Sequence, residues 1–139
     1  MTGDELIALA GNLAVNTGLG TDEARFRSAV SRAYYGAFHL SCALLSDFGI
    51  TVRRNADGHS EVYRALWATQ VREAQQVARL LSSLRSERNR ADYDLLDPEF
   101  RKRETATVNV EAAHEIRLLV EACRREPVRS AIRAHFQSS

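Results

Sequence analysis

Two cysteines, two prolines and a single lysine among nineteen basic residues are all that 139 residues contain, and each scarcity excludes something. Cys42 and Cys123 belong to no CxxC pair, which rules out a zinc ribbon or a disulfide scaffold read from spacing. Each sits in an apolar, helix-like run, the setting of a buried free thiol in an intracellular protein. Charge of one sign is also missing. A formal net charge of +1 supplies no global field toward nucleic acid or an anionic membrane. No basic-then-apolar signal segment opens the chain, and no apolar run approaches the roughly 20 residues of a membrane span, so the expectation is a cytoplasmic protein. Alternating apolar and polar runs rich in β-branched residues are absent too, which leaves no candidate sheet.

What is present is helical periodicity over a 45% apolar composition, enough for one domain over 1–139 with a core of its own. Thr2 and Glu5 have the spacing of a capping box ahead of Leu6, Leu9 and Leu13. Asn16 to Gly20 breaks that first helix, and Thr21 with Asp22 and Glu23 starts a second. The second helix, about Asp22 to Phe48, is the longest and most apolar. Ala33, Gly36 and Ala37 in its middle permit a close neighbour, either inside a bundle or across a dimer seam. Gly49 ends it, and Thr51 to Gly58 reads as a polar loop. Helix resumes at His59 or Ser60 and continues, with a bend, through Leu84. Arg85 to Lys102 is dense in charge, with Asp97-Pro98-Glu99 as a cap, first-turn proline and dipole-matched acid. A helix from about Asn109 to Arg125 follows, then a joint at Pro127 and a short helix carrying Val128, Ile132 and Phe136. The expected fold is all-α: an up-and-down bundle of four to five helices.

Two stretches hold chemistry. In Ser31–His39 the residues Arg32, Tyr35 and His39 share a helix face, and a guanidinium in so apolar a helix needs an acid or a ligand phosphate. In Arg85–Asp94 three arginines, Arg85, Arg88 and Arg90, lie beside Asn89, Asp92 and Tyr93. Such a set can hold a phosphate backbone and stack a base, or pair internally as a solvated helix end. Other chemistries find less. Gly18-Leu19-Gly20-Thr21 lacks the lysine of a phosphate loop, the four histidines show no zinc spacing, and Glu111 with His114 is one half of a di-iron pattern at most. No metal or cofactor is expected.

Together, "SRAYYGAFH" and, about fifty residues on, "RNRADYDL" resemble the HEPN domain, in particular its compact stand-alone members with an Ala-Asp-Tyr signature. The resemblance spans roughly Leu6 to Cys123 in helix order and spacing. It implies a bundle of four or five helices, a homodimer, and a place in toxin–antitoxin or defence systems beside a minimal nucleotidyltransferase. Active members of the family are metal-independent endoribonucleases that use an arginine, a following polar residue and a histidine after a gap of four to six. Arg88 and Asn89 match the first two positions, but the window beyond them reads Tyr93, Asp94 and Leu95. The bare spacing recurs at Arg54-Asn55 with His59, at Arg32 with His39 and at Arg129 with His135, as chance allows in an arginine-rich chain. Ribose-driven cleavage needs a group that exchanges a proton near neutrality, which histidine does and tyrosine or aspartate ordinarily does not.

Two functions follow as expectations. The first is binding of RNA or a cognate partner in a cleft of Arg32, Tyr35 and His39 on one helix and Arg85, Arg88, Asn89, Arg90, Asp92 and Tyr93 on the other. The alternative is an endoribonuclease in which Arg88 and Asn89 orient the phosphate and His39 moves the proton.

Overall fold

A computed structural model describes residues 1–15, 21–53, 55 and 57–138. These residues form six α-helices: α1 Gly3–Val15, α2 Asp22–Asp47, α3 Gly58–Ala68, α4 Arg72–Tyr93, α5 Arg103–Cys123 and α6 Val128–Gln137. A 3-10 turn, Pro98–Arg101, lies between α4 and α5. No strand occurs among the described residues, so the all-α expectation holds, with one helix more than the upper count of five.

The additional helix comes from a break between α3 and α4. Gln70 takes a left-handed φ of 56°, and the Thr69 hydroxyl donates to Leu66 O at 2.7 Å while accepting from Val71 N at 3.2 Å. A threonine side chain thus stands in for the missing helical bonds, and the chain turns. α5 begins six residues before the expected Asn109, because Asn109 is itself an interior position. Its amide is buried and donates to Thr105 O at 2.9 Å. The break expected at Asn16 to Gly20 lies outside the described residues.

Local start signals act as their spacing predicts. Glu5 N donates to Thr2 Oγ1 and Thr2 N to Glu5 Oε2, both at 3.1 Å, closing the capping box of α1. Thr21 Oγ1 accepts from Ala24 N at 3.2 Å, and Asp97 Oδ1 accepts from Glu99 N at 3.0 Å.

α2 is the hub, packed against α1, α4 and α5; α3 lies on α4 and α6 on α5. Phe26, Leu44 and Leu45 of α2 are fully buried with Ile7, Leu66, Leu81 and Ile116 from its neighbours. The small-residue seam of α2 is filled from within the chain. A Cβ on Gly36 would meet Ile7 Cγ1 at 2.7 Å and Gly3 O at 2.8 Å, so α1 occupies the close approach that a second copy would otherwise need. Cys42 and Cys123 are both buried, and burial pushes the Cys123 thiol up to about 11.

Several arginines are structural. Arg25 Nη1 donates to Leu13 O at 3.0 Å and Arg103 Nε to Ala14 O at 3.2 Å, so two guanidinium groups meet the negative end of α1. Arg27 does the same for α4, donating to Ala91 O at 2.8 Å, Asp94 O at 2.9 Å and Asp97 O at 3.2 Å. Its guanidinium also lies 4.8 Å from the centroid of buried Phe100, which packs with Val30 and Ala91. No described helix is long and apolar enough to cross a membrane.

Candidate functional site

Three helices converge on a groove of about 340 Å³ lined by Tyr34, Tyr35, Phe38, Asn55, His59, Arg85, Arg88 and Tyr93. Helical spacing explains the members from each side. Tyr34, Tyr35 and Phe38 share one face of α2, while Arg85 and Arg88 recur at three-residue spacing on α4. His59, the second residue of α3, enters because the preceding loop lies unusually close. A Cβ on Gly58 would meet Arg53 O at 2.1 Å and Phe38 Cζ at 3.1 Å, so only glycine lets the chain pass here.

Arg88 is held in a cage of phenol rings, its guanidinium carbon 5.0 Å from the Tyr35 centroid, 5.8 Å from Tyr93 and 5.9 Å from Tyr34. Its Nη1 donates to Asn89 Oδ1 at 2.8 Å and its Nη2 to the Tyr35 hydroxyl. The Nε lies 3.0 Å from Asp92 Oδ2, but the N–H is not aligned for a hydrogen bond, so this contact is an ion pair only. Arg85 differs: no acid lies within ion-pair distance of it among the described residues. A guanidinium without a carboxylate in a partly buried groove favours an arriving anion.

His59 is 8% exposed. Its Nε2 is 3.2 Å from Ser82 Oγ, its ring centroid is 6.2 Å from that of Tyr34, and Nδ1 is buried without a partner. Burial first, and then the Arg85 charge, lower its pKa from 6.5 to about 4, so the imidazole is neutral at neutral pH. Burial also raises the Tyr34 phenol, against the opposing pull of Arg85 and Arg88, and keeps it a hydrogen-bond donor. Tyr93, 75% exposed, presents a ring at the rim. The groove therefore combines two cations, neutral donors and acceptors, and an accessible aromatic face. Those groups suit a phosphate with an attached base.

No family model, curated protein or solved structure matches this chain.

The structure brings together Tyr35, Arg85, Arg88 and Tyr93, with Asn89 and Asp92 bonded or paired to Arg88 from the same helix. Arg90 is committed elsewhere, to Asp97 at 2.6 Å and Glu87 at 2.9 Å. Arg32 and His39 are not among the groove's lining residues. On α2 they follow Tyr35 and Phe38 around the helix toward the Gly36 face, and the cleft expected from them forms without them. In the Arg54-Asn55-His59 spacing, Asn55 and His59 line the groove, and Arg54 lies outside the described residues. Tyr34 and Phe38 were invisible as site residues, because buried aromatics at helical spacing read as core. The Arg54-Asn55 spacing makes His59 a low-ranked candidate, and the glycine before it is a second sign.

A roomier groove of about 480 Å³ between α4 and α5 is lined by Glu87, Glu99 and Glu104 with a single cation, Lys102. Lys102 is already paired with Glu99 at 2.9 Å. Its charge repels phosphate. Among the described residues no three His, Cys, Asp or Glu side chains gather to hold a metal ion.

Proposed function

We propose that this chain is a HEPN-like domain that binds single-stranded RNA in the tyrosine-lined groove. The observation that carries the reading is the meeting of acid-free Arg85, caged Arg88 and buried His59 with an exposed Tyr93 in one cavity. Arg85 takes a backbone phosphate, Arg88 exchanges its Tyr35 and Asn89 bonds for a second contact, and Tyr93 stacks a base. A role in toxin–antitoxin or defence systems, a homodimer and a minimal nucleotidyltransferase partner enter this reading through the HEPN resemblance.

A second reading, metal-independent endoribonuclease, is favoured by the neutral imidazole beside two guanidinium groups. In it His59 removes the proton from a ribose 2′-hydroxyl, whose oxygen attacks the adjacent phosphorus as the bond to the 5′-oxygen breaks. The products are a cyclic phosphate and a 5′-hydroxyl, the latter taking up a proton. A base of pKa about 4 accepts that proton poorly until a bound phosphate raises it, so binding is the stronger expectation.

The test is single-stranded RNA binding across a salt series, with cleavage followed in EDTA, for wild type and for Arg85→Ala, Arg88→Ala, His59→Ala and His39→Ala. Each arginine variant is expected to flatten the salt slope by about 0.7. His39→Ala is expected to leave binding unchanged. Absence of salt-sensitive binding in the wild type refutes the reading; cutting abolished by His59→Ala establishes the second.

A further inference from the structure

His59 belongs to two grooves. On its far side a second groove, of about 390 Å³, is lined by His59, Ser60, Tyr63, Arg64 and Ser82. Its wall is a stacked column: the Tyr63 and Trp67 rings are 5.7 Å apart and 7° from parallel, and the Arg79 guanidinium lies 5.7 Å from the Trp67 centroid. Trp67 remains 38% exposed, although a tryptophan that served only to glue α3 to α4 would be expected inside.

Charge follows the same path. Arg64 and Arg79, like Arg85, have no acid within ion-pair distance among the described residues, whereas the nearby acids Glu61 and Glu73 are paired with Arg53 and Arg72. Cations left unpaired beside aromatic faces form a track on which a polyanion with flat bases can lie. From Arg79 to Arg88, α4 rises about 14 Å. At 3.4 Å per stacked nucleotide that is about four nucleotides.

We infer that the RNA strand runs on past His59 into this second groove, where Tyr63 stacks a further base and Arg64 and Arg79 take backbone phosphates. The inference rests on the RNA reading of the first groove and adds a subsite to it. Tyr63 is the chosen platform because the Trp67 ring supports it from behind. A prebuilt stack loses little side-chain freedom when a base arrives.

The only tryptophan of the chain is next to the proposed subsite and serves as its probe. Trp67 emission and the affinities of a uridine dinucleotide and a uridine hexanucleotide are measured on the full chain. The hexanucleotide is expected to bind at least tenfold more tightly than the dinucleotide and to change Trp67 emission, while the dinucleotide does not change it. Tyr63→Ala is expected to weaken the hexanucleotide about tenfold and leave the dinucleotide unaffected. Arg64→Gln, an exposed change that spares the stack, is expected to lower the hexanucleotide salt slope by about 0.7. Equal affinity for both lengths, or an equal loss for both with Tyr63→Ala together with an unchanged slope for Arg64→Gln, overturns the subsite and leaves the first groove standing. Failure of both oligonucleotides to bind the wild type overturns the first groove and the subsite together.

Discussion

Burial of a neutral His59 has a consequence for stability that can be worked through with its sign. Burial, which leaves Nδ1 without a partner, and then the charge of Arg85 from α4 disfavour a proton on the ring. In the unfolded chain the ring titrates near 6.5, and in the folded chain near 4. The unfolded state therefore binds the proton first. The stabilisation is fully present above pH 6.5 and is lost as the pH falls through the interval down to 4. A shift of that size corresponds to about 3 kcal/mol at full protonation, of which about 2 kcal/mol is lost by pH 5. Urea unfolding of wild type and His59→Gln at pH 7, 6 and 5 isolates the effect, because carboxylates contribute equally to both. The wild type is expected to lose about 2 kcal/mol more than the variant between pH 7 and 5. Parallel loss in both proteins, or a His59 imidazole titrating near 6.5 by NMR, refutes the burial argument and with it the neutral base.

Two further outcomes follow from packing. Arg27 is 12% exposed in its side chain and gathers the carbonyls that end α4, so Arg27→Met is expected to cost about 2–4 kcal/mol in denaturant unfolding. Arg27→Lys should recover only part, since an ammonium cannot reach the same spread of oxygens. Gly36→Val places carbon where Ile7 and Gly3 already stand, and is expected to lower stability by at least about 2 kcal/mol. An unchanged unfolding midpoint would refute that close approach.

Helix existence was legible because it is local. The Thr2–Glu5 box, the Thr21 cap and the Asp97 turn each satisfy backbone donors within three residues, so spacing alone predicts them. Apolar periodicity likewise marks α2 and α5, although the polar first turns of α5 obscure where it starts. The break at Gln70 was less readable, since a positive φ at a non-glycine residue leaves no compositional trace.

The site divides along the same line. Arg85, Arg88 and Tyr93 lie within nine residues on one helix, and the shared face of Arg85 and Arg88 can be read from a 3.6-residue period. Nothing local tells which face of α2 meets them. Tertiary packing turns Tyr34, Tyr35 and Phe38 toward α4 and gives the next face to α1 through Gly3 and Gly36, which leaves Arg32 and His39 outside the groove. It also brings His59 in at the start of α3 and spends Arg27 on carbonyls 64 to 70 residues away. By itself the sequence determined the all-α character, the capped starts of α1 and α2, and the arginine set of α4. Which histidine joins them was decided only by the close passage at Gly58, because burial and distance between remote segments are properties of the packed chain.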